Sequence, residues 1–335
     1  MNKRVGKQTV ELKSKPVIIN AVGVVGQKEG EGPLKDSFDE IIPDDKMGQD
    51  SWEKAESALQ KHTARLAMEK AALTPNDINY VLAGDLLNQC VGANYGMRDL
   101  NIPFFGLYGA CSTMSESLSL GGMIIDGGFA KHIMCITSSH FCSAEKQFRY
   151  PLEYGGQRPP SAQWTVTGAG CAILASEGEG PRITHVTTGK IVDMGITDAN
   201  NMGAAMAPAA IDTLTTHFTD LNIQPDEYDL ILTGDLGVVG SDILVKLMQE
   251  NGYNIAGVHN DCGKLIFDIE AQDVHSGASG CGCCGSVFCG HVYKLLKQKK
   301  LKKVLLMATG ALMNSMSVQQ GESIPAIAHA LTIEA

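Results

Sequence analysis

Cys111 is the residue whose type and setting point most directly to chemistry. It stands in Gly109-Ala110-Cys111-Ser112-Thr113, after a short apolar strand over 104–108 and at the start of an apolar helix over 112–125. Backbone N–H groups at a helix N-terminus lack intrahelical partners and carry partial positive charge. A thiolate there is stabilised, so its pKa is expected to fall. A cysteine so placed serves as a nucleophile or as the wall of a ligand pocket; the plain alternative is a core thiol. Around it stand His140, which follows Ser138-Ser139 at a strand end, and Lys146 and Arg149 in the loop beyond. Asp235 follows a second apolar strand, His259 has Asn260-Asp261 beside it to orient its ring, and Ser279-Gly280 opens a glycine-rich helix start. Cys281, Cys283, Cys284 and Cys289 also cluster there. A zinc knuckle needs two Cys-x-x-Cys pairs, so this cluster reads as packed thiols and no metal is expected.

Two segments align without a gap at an offset of 150. Residues 73–86 and 223–236 each place a proline and acidic residues before an apolar run that closes on Gly-Asp-Leu, as Gly84-Asp85-Leu86 and Gly234-Asp235-Leu236. A continuous apolar run of that length suits a strand buried on both faces of a parallel sheet. Helical periodicity precedes each copy, over 52–73 and 204–221. After each copy come a cluster of small residues, a long apolar helix and another strand, over 133–136 and 304–307. Helix–strand–helix–strand, twice over, predicts two parallel-sheet units made by duplication. The expected halves are 1–180 and 181–335, and 335 residues suit two cores of about 150 each.

Composition narrows the function classes. A net charge of −10 argues against nucleic acid, where affinity comes from neutralising phosphates. The one dense basic run, residues 297–303, reads as a solvated helix end. No run of 18 apolar residues is present, so no membrane span is expected. Residues 1–15 carry charges with no apolar run behind them, and ten cysteines without a secretion signal imply a reducing, cytosol-like compartment.

The turn 109–113 resembles the nucleophile turn of the thiolase superfamily, which includes the ketoacyl synthases. Residues 165–174 are similar to that family's glycine-rich strand, and Ala308-Thr309-Gly310-Ala311 to its C-terminal glycine turn. More narrowly, long strings resemble a family of sporulation proteins of spore-forming bacteria, among them residues 83–89, 125–131, 147–151, 153–157, 206–210 and 259–263. The likeness runs from Gly6 to Pro325. It implies an α/β thiolase fold, a duplicated α-β-α-β-α unit with a pseudo-twofold and five layers, α/β/α/β/α, and no cofactor. It also implies binding of dipicolinic acid (pyridine-2,6-dicarboxylate) and a part in its uptake into the developing spore with the other subunits of a membrane channel. The protein would then sit peripherally at the spore inner membrane through those partners. A homodimer is expected from the same likeness, through a sheet edge at 133–137.

The chain departs from the condensing enzymes of that superfamily. Those need a His, with a second His or an Asn, to stabilise an enolate oxygen. The ketoacyl synthase His position reads Thr233-Gly234-Asp235-Leu236, where an anionic Asp235 opposes a developing enolate. The Asn position reads Gly277-Ala278-Ser279-Gly280. His259, in what reads as an insertion, is the nearest substitute. A non-catalytic pocket is the leading expectation, with ligand-binding candidates Cys111, Ser112, His140, Arg149, Asp235, His259, Ser279 and Gly280. Helix starts at Cys111-Ser112 and at 280–282 would give N–H donors to the two carboxylates, and Arg149 a bidentate guanidinium. The alternatives are an acyltransferase using Cys111 as nucleophile and an adaptor with a vestigial pocket.

Overall fold

The computed structural model describes residues 3–148 and 158–335. After β1 (Thr9–Glu11) and β2 (Val17–Val25) come a single helical turn, α1 (Gln27–Gly30), and the short β3 (Glu40–Ile41). The first repeat begins with α2 (Trp52–Lys70). Ser51 caps it by accepting the Lys54 N–H, and Ala55, Leu59, Ala64 and Ala67 form its buried face. The turn at Pro75 leads into β4 (Tyr80–Gly84), then α3 (Val91–Met97), β5 (Phe104–Gly106) and α4 (Thr113–Asp126). Next come β6 (His132–Ser139), α5 (Phe141–Phe148), β7 (Trp164–Thr165) and the wholly buried β8 (Gly168–Ala175).

The second repeat follows the same order. It runs β9 (Arg182–Thr187), α6 (Met202–Leu221), β10 (Leu230–Thr233), α7 (Gly237–Glu250) and β11 (His259–Asp261). A short α8 (Cys262–Leu265) and β12 (Ala278–Ser279) precede α9 (Cys281–Val287). That helix passes through a π turn into α10 (Tyr293–Lys297), and β13 (Lys303–Ala311), α11 (Ser315–Gln319) and β14 (Ala326–Glu334) complete the chain.

The strands are ordered β11-β10-β13-β14-β9-β2-β8-β6-β4-β5. Each set of five has the same internal order, and β2, β4, β5, β6 and β8 correspond to β9, β10, β11, β13 and β14. The two sets meet at a single register pair, Val17 with Arg182. Helices α4 and α9 fill the space between the sets: α4 packs on β6, β8, β13 and β14, and α9 on β2, β6 and β8. Outside them, α2 covers the first set and α6 the second. Five layers result, with a pseudo-twofold through the middle one. The parallel strands β4, β6, β10 and β13 end at one pole of the molecule, and Cys111, Asp85 and Asp235 gather there.

Three expectations need correction. Strand β6 is interior, paired to both β4 and β8, so residues 133–137 form no edge. The edge of that set is β5, whose Phe104 and Phe105 are exposed. His259 lies in no insertion, because 259–261 is β11, the counterpart of β5 in the duplicated unit. Residues 308–311 are the end of β13 and not a turn.

Candidate functional site

The segment before α4 is a 3-10 turn, Ala110–Ser112, entered through Ala110 in a left-handed conformation (φ 50°). Its shape is fixed by its own polar groups. The Ser112 N–H and hydroxyl both donate to the Gly109 carbonyl, at 3.0 and 2.7 Å, and the Thr113 hydroxyl donates to the Ala110 carbonyl at 2.7 Å. The end of β13 presses on the turn from the other half. A Cβ at Gly310 would lie 2.1 Å from the Gly109 oxygen, so only glycine fits there. Cys111 is left 5% exposed, at the wall of a pocket.

Behind Cys111 stands Asp235, fully buried. Its carboxylate accepts from the Thr309 hydroxyl at 2.8 Å and the Gly280 N–H at 3.1 Å, and the Cys111 thiol lies beside it. Burial outweighs these donors, the nearby Asp261 adds to it, and the Asp235 carboxyl is pushed up to about 7. Cys111 is raised well above the ordinary thiol value, first by burial and then by Asp235 and Cys281. The expected low-pKa thiolate is therefore corrected: partial charge at a helix start does not offset burial beside a carboxylate. Three of the N–H groups expected to meet a ligand are also occupied. Gly280 gives its N–H to Asp235, Gly282 to the Ser139 hydroxyl at 3.1 Å, and Ser112 to Gly109. Gly280, with φ 105°, adopts a backbone that other residues rarely take.

The pseudo-twofold repeats the motif. Asp85, the counterpart of Asp235, accepts the N–H groups of Leu87 at 2.7 Å and Ala93 at 2.6 Å. Glu56 stands beside it, holding the hydroxyls of Ser138 at 3.2 Å and Ser143 at 2.6 Å. Burial raises both carboxyls, Glu56 the further because Asp85 faces it. Cys281, the counterpart of Cys111, donates to the Ser138 carbonyl at 2.9 Å and packs in one apolar cluster with Cys111, Leu86 and Ala144. Cys111 is thus one of two thiols at the centre.

The enclosed cavity is small, about 50 Å³, and opens to the surface. Tyr108 and Phe148 give it aromatic walls; Thr165, Ser279 and Asn200 give it polar ones. Burial pushes the Tyr108 phenol up, so it stays a neutral donor. Gln163 also lines it. Its amide N–H groups donate to the Asp235 and Ala278 carbonyls at 2.6 and 2.8 Å, and its Oε1 is buried with no hydrogen-bond partner. Among the described lining residues there is no Lys, Arg or His; Glu145 is the charged one. Arg158 binds Glu145 at 2.7 Å and lies over the stacked Phe141–Trp164 pair.

The sequence candidates divide accordingly. Cys111 and Ser279 line the pocket, with Asp235 and Gly280 directly behind Cys111. Ser112 is fully buried and turned to its own backbone. His140 bonds through Nε2 to the Asp45 carbonyl at 2.9 Å and accepts the Cys142 N–H on Nδ1 at 3.1 Å, and burial lowers its pKa. His259 bonds to the Thr233 hydroxyl at 2.9 Å and is pushed down to about 4 by burial. Neither histidine reaches the pocket. Lys146 pairs with Glu53 at 2.6 Å, and Arg149 lies outside the described residues. Sequence reasoning missed Tyr108, Phe148, Glu145 and Gln163, which no motif marks. Asp85 was legible as part of the repeat, and its position opposite Cys281 was not.

A sequence profile of the stage V sporulation protein AD family matches residues 6–334. The chain belongs to that family. It is 47% identical over 333 residues to stage V sporulation protein AD of Bacillus subtilis (strain 168), covering 99% of this chain and 98% of the relative. Solved structures give the same fold at much lower identity. A single-residue variant of OleA of Xanthomonas campestris superposes with a TM-score of 0.63 at 13% identity, covering 97% of this chain and 99% of that one. The 3-oxoacyl-[acyl-carrier-protein] synthase III of Aquifex aeolicus VF5 gives 0.56 at 12%, covering 96% and 100%. Human mitochondrial 3-ketoacyl-CoA thiolase in complex with CoA gives 0.57 at 11%, covering 97% and 99%. The chain is a sporulation-family protein with a thiolase fold, and no described helix is long and apolar enough to cross a membrane.

Proposed function

We propose that this protein is a non-condensing binding protein whose pocket beside Cys111 takes a small aromatic dicarboxylate, dipicolinic acid, in support of its uptake into the developing spore with the subunits of a membrane channel. The observation that carries the non-condensing part is the Cys111–Asp235 contact. A neutral, buried thiol beside a carboxyl is a poor nucleophile, and Asp235, once ionised, would repel an enolate. Both histidines with sequence claims to the role are held elsewhere. The ligand class comes from family membership. The walls suit it in two respects: Tyr108 and Phe148 flank a flat ring, and the hydroxyls of Tyr108, Thr165 and Ser279 offer neutral donors to carboxylates. Arg158 is held by Glu145 of the pocket lining, and a ligand carboxylate would compete with Glu145 for its guanidinium.

A homodimer belongs to the same reading, through the exposed edge strand β5 with Phe104, Phe105 and the nearby Tyr108.

Thermal melting with and without dipicolinate tests the binding claim. A ligand that binds the native state raises the melting temperature with concentration, and a flat response removes the proposal. Acyl-CoA incubation followed by intact-mass measurement tests the second reading, acyl transfer. A stable adduct on Cys111 would establish that reading instead.

A further inference from the structure

Gln163, the residue before β7, is 6% exposed and stands in the pocket wall. Its backbone is held in place. The Arg158 guanidinium donates to the Gln163 carbonyl at 2.9 Å, and the Trp164 N–H donates to the Gly277 carbonyl at 2.8 Å. Its side-chain amide is oriented by two acceptors. Nε2 donates to the Asp235 carbonyl at 2.6 Å and the Ala278 carbonyl at 2.8 Å, which uses both of its hydrogens. Turning the amide over would set Oε1 against two carbonyl oxygens, so one orientation is allowed. Gly237 leaves room for it, since a Cβ there would lie 2.9 Å from Nε2. With Nε2 tied to the second half, Oε1 is the amide atom left to the pocket, and it is buried without a hydrogen-bond partner. A buried acceptor left unpaired is unfavourable, and a ligand group that donates to it removes the penalty.

Only a donor can satisfy Oε1. An ionised carboxylate accepts and cannot donate, whereas a protonated carboxyl or an amide N–H can. The other groups of the wall favour the same form of ligand. Glu145 is the charged residue among the described lining, and Arg158 is bonded to it. Tyr108 and Cys111 are kept neutral by burial; Asp235 and Cys281 adjoin Cys111, and Asp261 adjoins Asp235. Lys28 lies over the neighbouring Trp164 ring. No cation stands among the described lining residues to meet a second negative charge, and taking a dianion out of water there is unfavourable. The enclosed space, about 50 Å³, holds a few water-sized groups, so one carboxyl end enters and the rest of the ligand lies towards the mouth. We propose, on the binding role given to this pocket above, that it takes its dicarboxylic ligand with a proton on one carboxyl group, and that Gln163 Oε1 accepts the hydrogen bond from that O–H. Gln163 then selects the monoanion over the dianion, and each ligand bound brings one proton with it.

Calorimetry of the purified full chain, in buffers of different ionisation enthalpy, reads the protons taken up per ligand bound. Two probes are compared: dipicolinate and its monoamide, in which a carboxamide N–H donates at every pH. Between about pH 5.5 and 6.5 dipicolinate is expected to bind with uptake of about one proton and to weaken about tenfold per pH unit. The monoamide is expected to bind with no uptake and with an affinity that stays level. Dipicolinate binding without proton uptake overturns the proposal and leaves the binding role intact. Equal uptake with the monoamide also overturns it, because the proton then sits on Asp235, Glu145 or another protein group. Binding of the monoamide alone sustains the donor requirement and removes dipicolinate as the ligand; binding of neither removes both. Gln163→Met, which takes away the acceptor at similar volume, should lower the preference for the monoamide at least about tenfold, the factor that one lost hydrogen bond supplies. An unchanged preference removes Gln163 from the role. Should that variant fail to fold, the two probes on the wild type still decide.

Discussion

The Cys111 thiol, carried by the first half of the molecule, stands beside the buried Asp235 carboxyl, carried by the second, and that neighbour adds to the rise of its pKa. Each residue follows a strand end of its own repeat, and the pseudo-twofold brings them together. The contact keeps the thiol neutral and sets a buried carboxyl, itself pushed up to about 7, beside it.

Asp235→Asn should release the thiol. The amide oxygen keeps one acceptor for Thr309 or Gly280, which bond separate oxygens of Asp235, and the change removes the anionic neighbour. Alkylation of Cys111 by iodoacetamide, followed by mass spectrometry across pH, should accelerate about tenfold at a fixed pH for each unit the thiol pKa drops. An unchanged profile would mean that Asp235 does not govern the thiol.

Stability should fall as pH rises from about 6.5 to 8.5. Burial pushes Glu29 up to about 8 and Asp235 to about 7, and it raises Glu56 as well. A carboxyl with a raised folded pKa holds its proton longer in the native state, so its contribution is full at low pH and lost as pH climbs through the folded value. Below about 6.5 the buried histidines oppose this trend. His217, His259 and His329 are pushed down to about 3, 4 and 4, and they favour folding more as pH rises towards the unfolded histidine pKa. Melting temperature should therefore peak near neutrality and decline above it. Glu29→Gln, which keeps an acceptor for the Thr167 N–H, should flatten the decline.

Gly310→Ala should destabilise the fold by about 2–3 kcal/mol in chemical denaturation, because the new methyl group meets the Gly109 carbonyl. The same change displaces the Cys111 turn, so dipicolinate should raise the variant's melting temperature less than the wild type's.

His259→Ala should leave dipicolinate affinity within about twofold by calorimetry, since a loss of about 0.4 kcal/mol or less is all a residue outside the pocket is expected to cause. Thr165→Val, which removes a lining hydroxyl at nearly constant shape, should weaken it. The reverse pattern would move the site away from Cys111.

Phe105→Lys should abolish the proposed dimer in light scattering, since it places a charge on the exposed strand β5, whose edge is the proposed subunit contact. An unchanged mass at matched concentration would exclude that edge.

The repeat at offset 150, with the apolar runs that end at Gly84 and Gly234, determined two matching α/β halves and the parallel strands β4 and β10 within them, because local periodicity fixes which face of each element is buried. The antiparallel pairing of β8 and β14, which makes each sheet mixed and not parallel as expected, left no such mark. The Cys111 turn was equally legible, since residue type and position before an apolar helix suffice to recognise it. The tertiary structure alone decided that the Cys111 pKa goes up and not down, because burial and a carboxylate from 124 positions along the chain outweigh a helix start. It alone turned His140 and His259 to backbone and hydroxyl partners, made β5 and not β6 the edge, and brought Gln163 and Phe148 to the pocket. Those outcomes depend on which strands become neighbours and on what one half presents to the other, and such long-range contacts leave no periodic trace in a single sequence.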